Sequence, residues 1–320
     1  MQRRVSMADV AARAGVSGQT VSRVVNGSPR VDAETRARVE VAMVELGYRP
    51  HRAARALRTG RSGTIGVVVA TLATVGNSRM LEAVAAAASA RDLAVTLVTL
   101  GGGVDIETAF DRLHDQGVDG AIVLNEATAI AEGAAVPAGL ALVVVDSPGG
   151  PFATVQSDHA GGAEAATRRL LDAGHATVCH LAGPETSFAA AERERGWRAV
   201  LDEAGLRAPR IVRGDWSAAS GHDAGRTLAT QGDVTAVFAA NDQMALGLLR
   251  ALADAGRDDV AVVGFDDVTD AADYRPPLTT VRQDFDALGR AAVASLEASI
   301  GGADPTRTVV ATELIARVSG

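Results

Sequence analysis

Lysine is absent from this chain of 320 residues, and all 31 of its basic side chains are arginine. We attribute that to genome composition and draw no function from it. Cysteine occurs once, at Cys179, so no intrachain disulfide can form, which suits a reducing compartment. That cysteine lies in an apolar run and reads as a small core residue. Aromatic residues make up 3% of the chain, with tryptophan only at 197 and 216. No long hydrophobic run exists. The longest uncharged stretch, Ser62 to Ser78, is too short and too rich in Gly and Thr to span a membrane. The opening residues MQRRVSMADV lack the apolar centre of a signal peptide, so a cytoplasmic protein is expected.

Several chemistries are missing as well. His51, His114, His159, His175, His180 and His222 are scattered, without an HExxH or CxxC arrangement, so no zinc site and no cofactor is expected. Asp158-His159 reads as the cap of a following helix. There is no GxSxG elbow and no phosphate-binding loop. Gly101-Gly102-Gly103 lacks the rest of a dinucleotide motif and reads as a loop. No carboxylate pair is marked out by its spacing for acid–base work, so an enzyme is not expected.

What is present begins with size: 47% hydrophobic and 22% charged residues can bury large cores, and at about 150 residues per domain the length suggests two or more folded units. Charge is unevenly spread. Residues 1–62 carry twelve arginines against five acids, a formal +7, while residues 63–320 carry nineteen against thirty-four, −15. A basic block on an acidic body suits a polyanionic partner for the block alone, and equally an arginine-rich solvated surface.

Three helices are expected in the basic block. Ser6 caps the run Met7 to Ala14, which ends at Gly15; Ser17 caps a second that reaches Val25 or Asn26; a third runs from Asp32 to Leu46 and ends at Gly47. Two short helices joined by Gly15-Val16 outline a helix-turn-helix. On the second, Val21, Val24 and Val25 form an apolar stripe opposite Gly18, Gln19, Ser22, Arg23 and Asn26. Gln can pair with adenine and Arg with guanine in a major groove. A plain three-helix bundle with one polar face shows the same pattern. The arginine-rich segment from Tyr48 to Ser62 is a poor helix alone. It can serve as a linker, or fold on phosphates with Leu57 as a minor-groove wedge.

From Thr64 onward, apolar runs at 64–71, 93–100, 120–125, 141–146, 177–182, 236–240 and 260–265 alternate with helical stretches near 77–91, 105–116, 160–173, 190–204, 219–231, 242–255 and 287–300. That alternation predicts parallel sheets covered by helices, two sheets at this length, with a ligand crevice at the strand C-termini. The strand ends carry Asn125, Asp146, Trp216, Asn241 and Asp266. Amides and carboxylates for vicinal hydroxyls, with an aromatic face for a pyranose, make a sugar site. Asp and Asn at strand ends also cap helices, a role that Asp242 and Asp267 suit.

Met7-Ala8-Asp9-Val10-Ala11 through Gly15-Val16-Ser17, followed by Gln19-Thr20-Val21-Ser22-Arg23-Val24-Val25-Asn26, resembles the headpiece of the LacI family of bacterial repressors. The likeness continues through Thr35-Arg36, Val39, Ala42-Met43, Glu45-Leu46 and Tyr48-Arg49-Pro50. It extends into the body at Leu181-Ala182-Gly183-Pro184, Gly196-Trp197, Gly214-Asp215-Trp216-Ser217-Ala218, Ala240 to Gly247, Pro276 to Thr280 and Gln283-Asp284-Phe285. The resemblance implies an all-α helix-turn-helix headpiece over 1–50 and a hinge helix and linker over 51–62. It implies an α/β periplasmic-binding-protein-like core of two parallel-sheet subdomains over 63–320. The N-subdomain would hold about 63–158 and 286–304, and the C-subdomain about 159–285 and 305–320.

Carried over by position, the DNA-binding residues would be Ser17, Gly18, Gln19, Thr20, Ser22, Arg23, Asn26, Arg52, Ala54 and Leu57, with Leu57 opening a base step. The effector-binding residues would be Asn125, Asp146, Arg193, Trp216, Asn241, Asp266, Gln283 and Phe285. The implied partners are a pseudo-palindromic double-stranded operator, a sugar effector with a β-galactoside favoured, and a second copy of the chain. The family's tetramer-forming heptad helix has no counterpart before Gly320, so a homodimer is expected. Ala189, Gln156, Thr74, Gly76, Asn77 and Met80 depart from the family pattern followed elsewhere, around the part of a ligand that tells one sugar from another. The rival readings are a corepressor-driven regulator sensing a purine, a sugar-binding transport protein and a sugar-processing enzyme.

Overall fold

The computed structural model describes residues 5–25, 28–48, 60–101, 104–125, 127–128 and 133–320. By its internal contacts the chain divides into two compact units, Met1–Gly63 and Thr64–Gly320.

The first unit holds three helices, α1 (Met7–Ala14), α2 (Gly18–Val25) and α3 (Ala33–Leu46). Each start has a local cause. Ser6 and Asp9 form a reciprocal capping box on α1, Ser17 Oγ accepts the Thr20 amide at 3.1 Å, and Asp32 Oδ1 accepts the Thr35 amide at 2.8 Å. Gly15 and Gly47, at φ 65° and 62°, end α1 and α3 in the left-handed turn. Val10, Val21 and Val39, one from each helix, are fully buried against one another with Ala11, Val24 and Ala42. The core is small, so each of these valines contributes about 1.5–3 kcal/mol by leaving water.

The second unit contains two six-stranded sheets. The first has the order β11-β5-β4-β3-β1-β2, built from β1 (Thr64–Val69), β2 (Ala94–Thr99), β3 (Gly120–Leu124), β4 (Ala141–Val145), β5 (Ala153–Ser157) and β11 (Arg307–Val310). Every pairing in it is parallel. The second has the order β12-β10-β9-β8-β6-β7, built from β6 (Cys179–Ala182), β7 (Val212–Arg213), β8 (Ala236–Ala239), β9 (Ala261–Asp266), β10 (Thr279–Gln283) and β12 (Thr312–Ile315). Only its edge strand β12 runs antiparallel, beside β10.

Helices α4 (Val75–Ser89), α5 (Ile106–Asp115) and α10 (Phe285–Ile300) cover the first sheet. The second is covered by α6 (His159–Asp172), α7 (Phe188–Glu203), α8 (Ala218–Ala229) and α9 (Asp242–Asp254). Strands such as Val67-Val68-Val69 and Ile122-Val123-Leu124 are buried on both faces, as parallel strands between helix layers must be.

The chain crosses between the sheets three times, from β5 into α6 at Asp158, from β10 into α10 at Asp284, and from β11 into β12 at Ala311. The first and third crossings are tied together: the Asp158 amide donates to Val310 O at 2.8 Å, and Thr312 Oγ1 donates to Asp158 O at 3.2 Å.

Two expectations change here. Residues 305–320 do not belong wholly to the second subdomain. β11 pairs with β5 in the first sheet, and the crossing falls at Ala311, so the segment 305–320 contains two strands on different sheets. The apolar-run pattern also does not mark β5, β7 and β10. β5 reads Ala-Thr-Val-Gln-Ser, yet all five residues are buried, because Thr154, Gln156 and Ser157 lie between neighbouring strands and the cleft.

Candidate functional site

On α2 the buried side is Val21 and Val24. Ser17, Gly18, Gln19 and Arg23 are exposed, and Thr20 and Ser22 are half-buried. The polar residues therefore share one open face whose first turn is fixed by Ser17, which also hydrogen-bonds the Thr20 hydroxyl at 2.9 Å. Asn26, Arg52, Ala54 and Leu57, together with most of the expected hinge, lie outside the described residues.

Within the second unit the strand ends face one another across a cleft, and a cavity of about 600 Å³, part of it open to solvent, lies there. All eight candidate effector residues line it: Asn125, Asp146 and Phe285 from the side of the first sheet, and Arg193, Trp216, Asn241, Asp266 and Gln283 from the side of the second. Thr74, Gly76, Asn77 and Met80 at the start of α4 complete the first wall; Ser187, Phe188 and Ala189 at the start of α7 complete the second.

The backbone is unusual here. Asn125 (φ 47°), Asp146 (56°), Trp216 (74°) and Asp266 (114°) have left-handed or neighbouring conformations that L side chains rarely adopt. Asn and Asp tolerate them through local hydrogen bonds; a tryptophan does not, and such geometry persists only where the surrounding structure imposes it. Trp216 is held by its ring. The benzo edge lies so close to Gly183 that a β-carbon there would come within 2.3 Å of it. The indole Nε1 is buried and has no protein hydrogen-bond acceptor among the described residues.

Arg193 is the hub. Its guanidinium lies 3.8 Å from the Phe265 ring centroid and 5.6 Å from that of Trp216, a cation held between aromatic faces. It donates to Ala240 O and lies 3.5 Å from Asp266 Oδ1. Gln283 Nε2 donates to the same Asp266 oxygen at 2.7 Å, and Ser157 Oγ donates to Gln283 Oε1 at 2.5 Å. Across the cleft Asn125 Nδ2 donates to Asn77 Oδ1, and Asn77 Nδ2 donates to Thr71 O at 2.9 Å.

Three side chains have roles other than those the sequence suggested. Helix α9 is capped by Asn241, whose Oδ1 accepts the Met244 amide at 2.9 Å while its Nδ2 donates to Trp216 O at 3.0 Å. Asp242 is instead buried, accepting from Thr280 Oγ1 at 2.5 Å and the Val268 amide at 2.9 Å. Asp267 binds Arg317 at 2.6 Å and Arg282 at 2.8 Å, tying the C-terminal segment down. His159 is no cap: Asp158 alone caps α6, and the imidazole is buried between Asp146 and Arg193. Spacing alone could not find His159, Ser157, Phe188 or Phe265, because nothing local marks a residue whose partners are distant in sequence.

Burial holds the Asp266 carboxyl above its ordinary range, opposed by the Arg193 charge and the Gln283 hydrogen bond. Asp242 is raised well above the ordinary value by burial and then by the nearby Asp266 charge. The cavity thus joins carboxylates, amides and a guanidinium to the apolar residues Trp216, Phe285, Phe188 and Leu288, a combination that suits a neutral polyhydroxylated ligand with an apolar face. Among the described residues no group of His, Cys, Asp and Glu is placed to hold a metal, and no helix is long and apolar enough to cross a membrane.

A family profile described as bacterial regulatory proteins, lacI family, matches residues 6–51, and one described as periplasmic binding protein-like domain matches residues 167–319. The chain is 38% identical over 298 residues to the lactose operon repressor of Escherichia coli (strain K12), covering 90% of this chain and 83% of that one. It is 37% identical over 342 residues to the HTH-type transcriptional regulator CelR of Thermobifida fusca, covering 100% and 99%. Among solved structures it is similar to the lac repressor dimer bound to operator and the anti-inducer ONPF, with a TM-score of 0.85, 35% identity and 99% of each chain covered. It is also similar to the CelR–cellobiose complex, with a TM-score of 0.71, 35% identity, and 99% of this chain and 100% of that one covered.

Proposed function

The chain belongs to the LacI family of bacterial regulatory proteins, and from that premise we propose that it is a sequence-specific transcriptional repressor released from its operator by a sugar inducer. The observation that carries the sugar half of this reading is the cleft itself. Hydrogen-bonding groups from both sheets and the aromatic residues Trp216, Phe188 and Phe285 meet around one cavity. The names of the relatives support it, since one is a lactose operon repressor and another is seen with cellobiose. Lactose and other β-galactosides are the first candidates.

In this reading Gln19 and Arg23 read base edges in a major groove, Ser17, Thr20 and Ser22 position α2 on the backbone, and Gly18 leaves the first reading position without a side chain. Asn26, Arg52, Ala54 and Leu57 are the further DNA-contacting residues in this reading. Two copies bind, because a pseudo-palindromic operator presents the same half-site twice. Sugar bridging the two walls favours a closed arrangement of the subdomains over the one that supports the hinge. By linkage, sugar weakens operator binding by the factor by which operator weakens sugar binding. The protein performs no chemistry on its ligand, and it acts in the cytoplasm, where operator DNA is.

The test has two stages. Operator duplexes are selected from a random pool by the full-length protein, and their affinity is then measured with and without lactose or cellobiose. Weaker operator binding in the presence of sugar is expected. A ligand-tightened complex would instead indicate a corepressor, and absence of any selected sequence would overturn the DNA-reading assignment.

A further inference from the structure

His159 is the first residue of α6, at the point where the chain leaves the first sheet for the second. It is 1% exposed, and it lies behind the cavity wall and not on it. Arg193 donates to its Nδ1 from Nε at 3.4 Å and from Nη2 at 3.3 Å. On its other side Nε2 lies 2.9 Å from Asp146 Oδ1, within reach of the carboxylate charge but outside hydrogen-bond geometry. Phe265 and Phe188 close the remaining sides, with ring centroids 5.9 and 6.5 Å away. Two further carboxylates, Asp266 on β9 and Glu192 on α7, lie within electrostatic reach of the ring, and Asp158 precedes it in the chain.

A guanidinium can only donate hydrogen bonds. Nδ1 must therefore present its lone pair to Arg193, and the single ring proton belongs on Nε2, the nitrogen beside the Asp146 carboxylate. The imidazole thus joins an acidic group at the end of β4 to the basic hub on α7, across the two subdomains. Both of those residues line the cavity, and His159 lies between them.

We propose that His159 is a positioning residue of the effector site, a clamp that orients Arg193 and Asp146 toward a shared ligand through the Nε2–H tautomer. The proposal rests on the cleft being the sugar site. An imidazole suits this role because it is rigid, accepts from Arg193 on one side while holding its N–H beside Asp146 on the other, and has no free rotation to lose when a ligand arrives.

The experiment reads the tautomer and the affinity separately. In full-length unliganded protein labelled with ¹⁵N, the long-range ¹H–¹⁵N signals of His159 are identified by their loss in His159→Gln. A protonated Nε2 and a bare Nδ1 at neutral pH are expected, and an Nδ1–H tautomer overturns the proposal. Lactose and cellobiose are then titrated by tryptophan fluorescence. His159→Phe should weaken sugar binding by roughly tenfold or more, the loss of a hydrogen bond to a charged group. His159→Gln, which keeps one acceptor and one donor, should recover most of that loss. Wild-type affinity in the Phe variant, or a Gln variant as weak as the Phe variant, also overturns the proposal. If the Phe variant does not fold, the tautomer and the Gln variant decide. If neither sugar binds the wild type, the sugar reading falls while the tautomer still decides the clamp.

Discussion

Gly183→Ala isolates what Trp216 contributes. The added methyl carbon would be 2.3, 2.5 and 2.7 Å from three atoms of the indole benzo ring, where carbon atoms in contact keep about 3.5–4.0 Å. The ring must therefore retreat by about 1 Å or more, and the cavity that it lines is the open space beside it. Trp216 cannot relieve the clash by a small backbone adjustment, because its φ of 74° is already an imposed one. Overpacking of this kind costs about 1–3 kcal/mol. Because the displaced group is a binding surface, the cost should appear as a loss of sugar affinity of roughly 5- to 150-fold. The assay is a lactose or cellobiose titration followed by fluorescence, with the unliganded emission spectrum recorded first. The variant should show an altered Trp216 emission before any sugar is added, while Trp197, buried in α7 with its Nε1 donating to Val178 O at 2.8 Å, reports that the fold is intact. Unchanged emission together with unchanged affinity would refute the argument, because it would mean that the indole is not seated on Gly183.

Other perturbations separate the two ends of the molecule. Arg23→Ala should abolish specific operator binding and leave sugar binding untouched, as compared by gel shift and fluorescence; retained operator affinity would remove Arg23 from the reading face. Asp266→Asn should weaken the sugar roughly 10- to 150-fold, giving a repressor that binds operator but stays bound at inducer concentrations that release the wild type; normal release would exclude Asp266 from the site. Acid should weaken the fold through His180, which is buried and stacked at 4.9 Å on Phe238 and 5.3 Å on Trp197. Burial lowers this imidazole from 6.5 to about 4. The unfolded chain therefore takes up a proton near 6.5 that the folded chain refuses until about 4. The associated stability is complete above 6.5, falls by about 1.4 kcal/mol per pH unit across the span, about 3 kcal/mol in all, and is flat below it. Urea unfolding followed by Trp197 fluorescence should show this slope in the wild type relative to His180→Phe; a pH-independent difference between the two would contradict it.

Much of the architecture was legible because its causes are local. Ser6, Ser17 and Asp32 cap helices within three residues of themselves, and Gly15 and Gly47 end helices by their own left-handed backbone. Val-rich runs bounded by helical patterns identify parallel strands because such strands are buried on both faces. The strand-end residues Asn125, Asp146, Asn241 and Asp266 stood out for a similar reason: polar side chains at the ends of apolar runs are where a doubly wound sheet places its crevice. Other features are invisible at this range. β5 is polar in composition and becomes a strand only because β4 and β11 flank it, the latter about 150 residues away. The sheet to which each end of the segment 305–320 belongs depends on those same distant pairings.

The sequence by itself thus determined the helix-turn-helix unit, the two-sheet α/β class and a set of polar strand ends, since capping, periodicity and hydrophobic runs act over a few residues. Only the tertiary structure decided what those strand ends do to one another. It gave helix capping to Asn241 and buried Asp242 beside Thr280. It seated Trp216 on Gly183 and drew His159 out of an apparent cap into contact with Asp146 and Arg193. The reason is that hydrogen bonding and burial inside a cleft depend on which groups meet there, and those groups come from separate strands and helices, mostly tens of residues apart, brought together by three crossings between two sheets.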